Sequence, residues 1–338
     1  MNRPSELILP AVQPEARSRI LRLVAVYLVL AALLVFALRK APLSRIWESL
    51  KHLDLWQVGI LFIINALVIA FMTARWWFVA RAEKPRLPFL PLIGYRLSVF
   101  GLSYFTPGPQ VGGEPLQVIY LRRYHGFGFP RAVSIVIIDK LLEFFGNFVF
   151  IAVGLLAVIR AGILPAGDFP ALAWLAIAAL LVWPALHLFL LSRRVHPLTR
   201  LLRSLLPRWA HRKWFRLAIV SEHLAGTFTR RHPAALSAAL IASLLAWTGM
   251  AAEYLLMLNF LEVHLQLWQS LASLTASMLA FLMPLPGGLG ALEASQVLAI
   301  GSFGYPAAAA ISLTLLMRAR DLLNGGLGLI LAARNLGR

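Results

Sequence analysis

Two short motifs set a carboxylate beside flexible backbone. Gly112-Gly113-Glu114-Pro115 places a glutamate after two glycines and before a proline suited to the first turn of a helix. Gly287-Gly288-Leu289-Gly290 does the same ahead of Glu293. A helix start at membrane depth presents free N–H groups and the positive end of the helix dipole, which suit a phosphate or a carboxylate. Glu114 and Glu293 could themselves take a proton or a cationic headgroup, or each could cap its own half-helix. A second set of charges lies inside apolar stretches. Asp139, Lys140 and Glu143 are three and four residues apart and share one helix face. Arg318, Arg320 and Asp321 sit in the last apolar stretch, and Arg75, Arg96 and Glu253 complete the set. Ionisable groups at such positions cost a few kcal/mol each and face a bundle interior or a pathway. They either touch substrate or pair with one another, and Arg75 is placed to snorkel to an interface. The candidate substrate-binding set is Gly112, Gly113, Glu114, Asp139, Lys140, Glu143, Glu253, Gly287, Gly288, Gly290, Glu293, Arg318 and Asp321.

The elements that must position these groups are membrane helices. The chain of 338 residues is 60% hydrophobic and only 14% charged, against about 25% charged in soluble domains. Six stretches are long enough to span: Ile20–Leu38, Trp56–Val79, Pro130–Val158, Pro170–Leu191, Ala235–Leu261 and Pro306–Ala333. Two more regions are broken by glycine and proline. Phe89–Phe105 is followed by the loop Thr106–Glu114 and the piece Pro115–Tyr124; Gln266–Leu285 is followed by Pro286–Gly290 and Ala291–Phe303. The short pieces cannot cross the hydrocarbon, so each region predicts a re-entrant helical hairpin whose loop lines a cavity. The expected fold class is an all-α polytopic membrane protein in one domain, with about six full spans and two re-entrant hairpins.

The halves repeat. Pro107-Gly108 precedes Glu114 as Pro286-Gly287 precedes Glu293, and Phe127-Gly128-Phe129-Pro130 opens one span as Phe303-Gly304-Tyr305-Pro306 opens another. The offset is 179 residues for the first motif and 176 for the second, counted from proline to proline. Residues 56–158 form repeat one and 235–333 repeat two, and the odd number of crossings between their starts inverts the second. Inverted repeats with broken helices are the pattern of secondary transporters, with the site near the midplane.

The net charge of +18 lies mostly in loops, which speaks for orientation and anionic headgroups, not for nucleic acid. The basic stretch 193–232, with Leu201, Leu202, Leu205, Leu206, Trp209 and Trp214 among its cations, predicts a cytoplasmic interfacial loop. Counting spans from it puts both termini in the cytoplasm, although Arg39, Lys40, Arg45 and Lys51 then fall outside. The first apolar run lacks a small-residue cleavage site and reads as a retained span. Cysteine is absent, which excludes thiolate chemistry. The eight histidines show no metal-ligand spacing, so no metal is expected. No Walker loop is present, so neither nucleotide nor other cofactor is expected.

Together, Thr106-Pro107-Gly108, Gly112-Gly113-Glu114-Pro115-Leu116 and Pro286-Gly287-Gly288-Leu289-Gly290-Ala291-Leu292-Glu293 resemble the flippase-like family, the lysylphosphatidylglycerol synthase transmembrane region. The resemblance runs from about Ile20 to the C-terminus. It implies lipid translocation across a bacterial or archaeal cell membrane, through a cavity between re-entrant helices. It carries over to Gly112, Gly113, Glu114, Gly287, Gly288, Gly290 and Glu293. Well-understood members resemble the flippase half of the multiple peptide resistance factor, which moves lysylphosphatidylglycerol; others are linked to hopanoids or glycan-carrying polyprenyl lipids. The chain departs from the family at Gln117, where Arg is frequent, and at Asp139-Lys140, where Glu-Arg or Asp-Arg is frequent. It carries no soluble aminoacyl-transfer domain, so it is not expected to be an enzyme making that lipid. The expected partner is an anionic, aminoacylated, hopanoid or polyprenyl lipid, and a homodimer stays open. The competing functions are a membrane-embedded enzyme acting on lipid headgroups through the same carboxylates, and a non-transporting member of a lipid-modifying complex.

Overall fold

A computed structural model of the chain describes residues 47–48, 51, 53–106, 112–162, 171–205, 213–283, 285 and 288–337. The expected span Ile20–Leu38, the motifs Pro107-Gly108 and Pro286-Gly287, and part of the basic loop lie outside these residues. All regular structure among the described residues is α-helical. The long helices are α1 (Leu55–Glu83), α2 (Leu90–Phe105), α3 (Glu114–His125), α4 (Phe129–Arg160), α5 (Ala171–Ser192), α6 (Pro197–Leu205), α7 (Lys213–Arg231), α8 (Pro233–Phe260), α9 (Leu267–Phe281), α10 (Ala291–Gly301) and α11 (Ala307–Gly337). Their limits fall within a few residues of those read from the sequence, because proline and glycine punctuate both. Pro91, Pro115, Pro130 and Pro233 each stand in a first turn, where a missing N–H costs nothing.

Among the described residues, three helices, α1, α4 and α8, are long and apolar enough to cross a membrane. The 31-residue α11 has the length, but Arg318, Arg320 and Asp321 interrupt its apolar run. The polarity of the bundle is that of a protein solvated by lipid. Phe62, Ile63, Leu67 and Leu298 point outward, while Arg75, Asp139, Glu253 and Arg318 are buried.

Helices approach closely where glycine removes the side chain. A Cβ on Gly328 of α11 would lie 2.0 Å from the Leu97 carbonyl oxygen of α2, and one on Gly154 of α4 would lie 1.7 Å from Thr275 Oγ1 of α9. Dispersion and close backbone packing of this kind hold helices together in lipid, where the hydrophobic effect does not. The contacts follow a rule. α2 packs on α11 as α9 packs on α4; α3 packs on α2 and α4 as α10 packs on α9 and α11; and α1 packs on α8. Exchanging α1–α4 with α8–α11 therefore carries these contacts onto each other.

Each pair of short helices closes at its base. Lys84 Nζ, just after α1, donates to the His125 carbonyl at 2.6 Å, so the chain entering α2 lies beside the end of α3. The same end of α3 meets the end of α11: Arg123 donates to the Leu336 carbonyl at 3.2 Å and Tyr124 to that of Asn335. At the other pair, the His264 N–H donates to the Tyr305 hydroxyl at 3.0 Å, which joins the chain entering α9 to the start of α11. The two bases thus lie at opposite ends of α11.

Candidate functional site

The first charge cluster gathers around α4. Arg75, on α1 and 1% exposed, is fully enclosed. Its Nε lies 2.7 Å from Asp139 Oδ1, and its Nη2 lies 2.5 Å from Glu143 Oε2. Arg96 of α2 reaches the same carboxylates at 3.5 and 3.1 Å. Arg75 does not snorkel: two carboxylates one helical turn apart on α4 hold its guanidinium inside. Lys140 Nζ then joins this cluster to the start of α3, with Glu143 Oε1 at 2.8 Å and Glu114 Oε1 at 2.9 Å. Three cations face three carboxylates, so the cluster is electrically balanced.

Glu114 caps its own half-helix and also pairs with a cation of the chain. Its Oε2 accepts the Gly112 N–H at 2.8 Å, which caps the half-helix, while Oε1 holds Lys140. Gly113 is required by space: a Cβ there would lie 2.4 Å from the Val99 carbonyl oxygen of α2, and its N–H donates to Ser103 Oγ at 2.9 Å.

The second cluster repeats the plan on α10 and α11. Glu293 Oε2 accepts the Gly290 N–H at 2.9 Å, and the Arg318 guanidinium grips both carboxylate oxygens, at 2.5 and 2.8 Å. Gly290 has φ +81°, a left-handed conformation that glycine adopts without penalty. Arg318 also lies 3.5 Å from the Gly288 carbonyl, so one side chain fixes the loop as well as the glutamate. Two residues on, Arg320 donates to Glu253 Oε2 of α8 at 2.8 Å and to Asp321 at 2.9 Å. Tyr104, at the end of α2, stands beside Arg318 and Asp321. Since α2 also carries Arg96, the two clusters are about 12 Å apart along one helix. Neither glutamate is sealed away: Glu114 keeps 19% and Glu293 33% of its side-chain exposure.

A family model described as the lysylphosphatidylglycerol synthase TM region matches residues 20–327. The chain belongs to that family. Individual relatives are distant. A UPF0104 membrane protein of Pyrococcus horikoshii is 23% identical over 300 residues, covering 82% of this chain and 86% of the relative. Another UPF0104 membrane protein, from Methanothermobacter thermautotrophicus, is 27% identical over 110 residues, so the match spans about a third of each, 32%. No solved structure matches the chain. A membrane protein of a lipid-related family is therefore established.

Of the residues singled out in the sequence, Glu114, Asp139, Lys140 and Glu143 come together, as do Glu253, Glu293, Arg318 and Asp321. Gly112, Gly113, Gly288 and Gly290 shape the two loops, and Gly287 lies outside the described residues. Arg75, Arg96 and Arg320, left out of the candidate set, turn out to be the counter-charges. Two glutamines were also missed. Gln117 Nε2 approaches Asp139 at 3.4 Å; Gln296 is fully buried and bonds Ser273, Ser277 and Tyr254. The signal was present, because each glutamine follows its half-helix glutamate by three residues. Among the described residues, no three His, Cys, Asp or Glu side chains form a metal-binding group.

Proposed function

We propose that the chain is a lipid translocase of the cell inner membrane, moving a lipid with a charged headgroup along a polar path between the two clusters. The observation that carries this reading is the repeated pair. A half-helix glutamate meets a cation of the following long helix in both halves, Glu114 with Lys140 at 2.9 Å and Glu293 with Arg318 at 2.5 Å. Purely structural ion pairs would be expected in dry packing, whereas these glutamates remain partly exposed. Each pair offers both signs of charge, so a phosphate can replace the carboxylate on the cation and an ammonium can replace the cation on the carboxylate. An arriving headgroup then exchanges partners without leaving a charge uncompensated in hydrocarbon.

The reading includes two repeats, 56–158 and 235–333, of opposite orientation. It is supported by the exchange of contacts between α1–α4 and α8–α11 and by the hairpin bases at opposite ends of α11. The arms α3 and α10 have 12 and 11 residues, about 18 and 16 Å of rise, short of the ~30 Å hydrocarbon core. Both pairs of short helices are therefore read as re-entrant, with their tips at the midplane, the basic segment 193–232 in the cytoplasm, and both termini on that side.

The test is leaflet exchange of labelled lipid in vesicles containing purified protein, with anionic, aminoacylated and polyprenyl lipids in separate preparations. Lys140→Gln and Arg318→Gln are expected to slow exchange at least about tenfold, the equivalent of ~1.4 kcal/mol in the barrier. Wild-type inactivity with all three lipid classes would overturn the reading.

A further inference from the structure

The two clusters match in position but not in charge. Arg75 of α1 and Glu253 of α8 occupy related places: they lie 178 residues apart, close to the 179 that separate Glu114 from Glu293. In the first half that place holds a guanidinium, and three cations meet three carboxylates. In the second half it holds a carboxylate. Arg318 and Arg320 then face Glu253, Glu293 and Asp321, which leaves one negative charge in excess. A buried charge without a partner is among the costliest features a membrane protein can carry.

The excess settles on Glu253. Glu293 is gripped at both oxygens by Arg318 and capped by Gly290, and it is a third exposed. Asp321 takes two contacts from Arg320, at 2.9 and 2.8 Å. Glu253 is 1% exposed; Arg320 reaches its Oε2, and its further hydrogen bond comes from the amide of Asn65, which brings no charge. The groups facing it can be named element by element. From α11 come Arg320 and Asp321, and from α1 comes Asn65, which is held by Asn324 at 2.9 Å. The charges of α1 and α4 in this region, Arg75, Asp139, Lys140 and Glu143, are engaged in the first cluster, and α9 has no ionisable residue. Arg320 bridges Glu253 and Asp321, so the two carboxylates do not share a pocket in which a metal ion could be held. A proton on Glu253 needs no such room and restores the balance.

We propose that Glu253 binds and releases a proton in the transport cycle, so that lipid movement is coupled to a proton gradient. The coupling rests on the translocase reading; the protonation does not. Two measurements separate them. In infrared spectra of the purified protein in lipid, a protonated-carboxyl carbonyl band should appear as pH is lowered and be missing in Glu253→Gln. Identical bands in wild type and variant would overturn the proposal. If Glu253→Gln does not purify as a monodisperse protein, Glu253→Asp keeps a titrating carboxyl, and its band should move; an unmoved band would also overturn it. In vesicles that exchange lipid, a gradient of one pH unit should bias the labelled lipid between leaflets by up to about tenfold for one proton per lipid. In Glu253→Gln the labelled lipid should show no bias between leaflets, whatever rate of exchange the variant keeps. A bias that persists in the variant, or its absence in an exchanging wild type, would refute the coupling. No exchange with any lipid would refute transport alone, and the infrared band would still decide the proton.

Discussion

Replacing Arg75 by methionine tests whether the first cluster is held together by charge balance. The change keeps most of the apolar stem and removes the guanidinium that lies 2.7 Å from Asp139 and 2.5 Å from Glu143. Arg96 remains, at 3.5 and 3.1 Å from the same carboxylates, and Lys140 remains 2.8 Å from Glu143. One carboxylate is then in excess. Breaking a buried pair by removing one partner costs about 3–5 kcal/mol. The cost has a ceiling, because a stranded carboxylate can be neutralised by a proton. From an ordinary carboxyl to pH 7 is about three units at ~1.36 kcal/mol each, so the ceiling is about 4 kcal/mol. The double variant Arg75→Met/Asp139→Asn has two cations and two carboxylates and should recover more than half of the loss, which defines a coupling well outside additivity. Equilibrium unfolding in mixed micelles, followed by the fluorescence of the ten tryptophans, including buried Trp76 beside the site, measures all three forms. A single-variant cost under about 1 kcal/mol, or a double variant no more stable than the single, would refute the argument.

Three further outcomes follow from particular contacts. Gly328→Ala places a methyl 2.0 Å from the Leu97 carbonyl oxygen and should cost about 1–3 kcal/mol as α2 and α11 part, whereas Gly59→Ala, with nothing within 4 Å, should be neutral or stabilising in the same thermal unfolding measurement. Glu222 of α7 accepts the Leu198 and Thr199 N–H groups of α6 at 2.8 and 2.7 Å; Glu222→Ala should loosen α6 by about 1–3 kcal/mol, read as at least tenfold faster tryptic cleavage at Arg200, and an unchanged rate would remove the capping role. The absence of cysteine makes topology directly testable: Arg122→Cys should react with an impermeant maleimide from the cytoplasmic side and Ser302→Cys from the outer side, and labelling of both from one side would dismiss the inverted arrangement.

Helix limits and the two loops were legible in the sequence because proline and glycine act locally. Pro115 and Pro130 start helices, and Gly113 and Gly290 allow a close approach and a left-handed turn, whatever the rest of the chain does. The pairing of Lys140 with Glu143 was also legible, since three residues on a helix fix the geometry. The partners across helices were not. Nothing local to Arg75 shows that it meets Asp139, 64 residues away, or that Arg320 meets Glu253, 67 residues away. Those contacts depend on which helix faces pack, and packing in lipid is decided by small residues such as Gly328 and Gly154 whose neighbours no pattern of hydropathy names. Gln117 is marked by its departure from the family's frequent Arg, but Gln296 is recoverable only by laying one half on the other, because an uncharged side chain gives no alarm in an apolar stretch.

The division between a matched scaffold and unmatched charges has a consequence for direction. If the halves were alike in charge as well as in contacts, the states open to either side would be close in energy. Arg75 in one half and Glu253 in the other remove that equivalence: the first cluster is neutral by itself, the second only with one added cation. A ligand shifts a two-state equilibrium only by its difference in affinity for the two states, and a cation gains most where the second cluster is open to it. On the proposed proton coupling, the swap of one residue at related positions would make the scaffold respond to the side from which a proton arrives. Restoring the match by Glu253→Gln should flatten that preference while leaving the contacts of α1–α4 and α8–α11 in place.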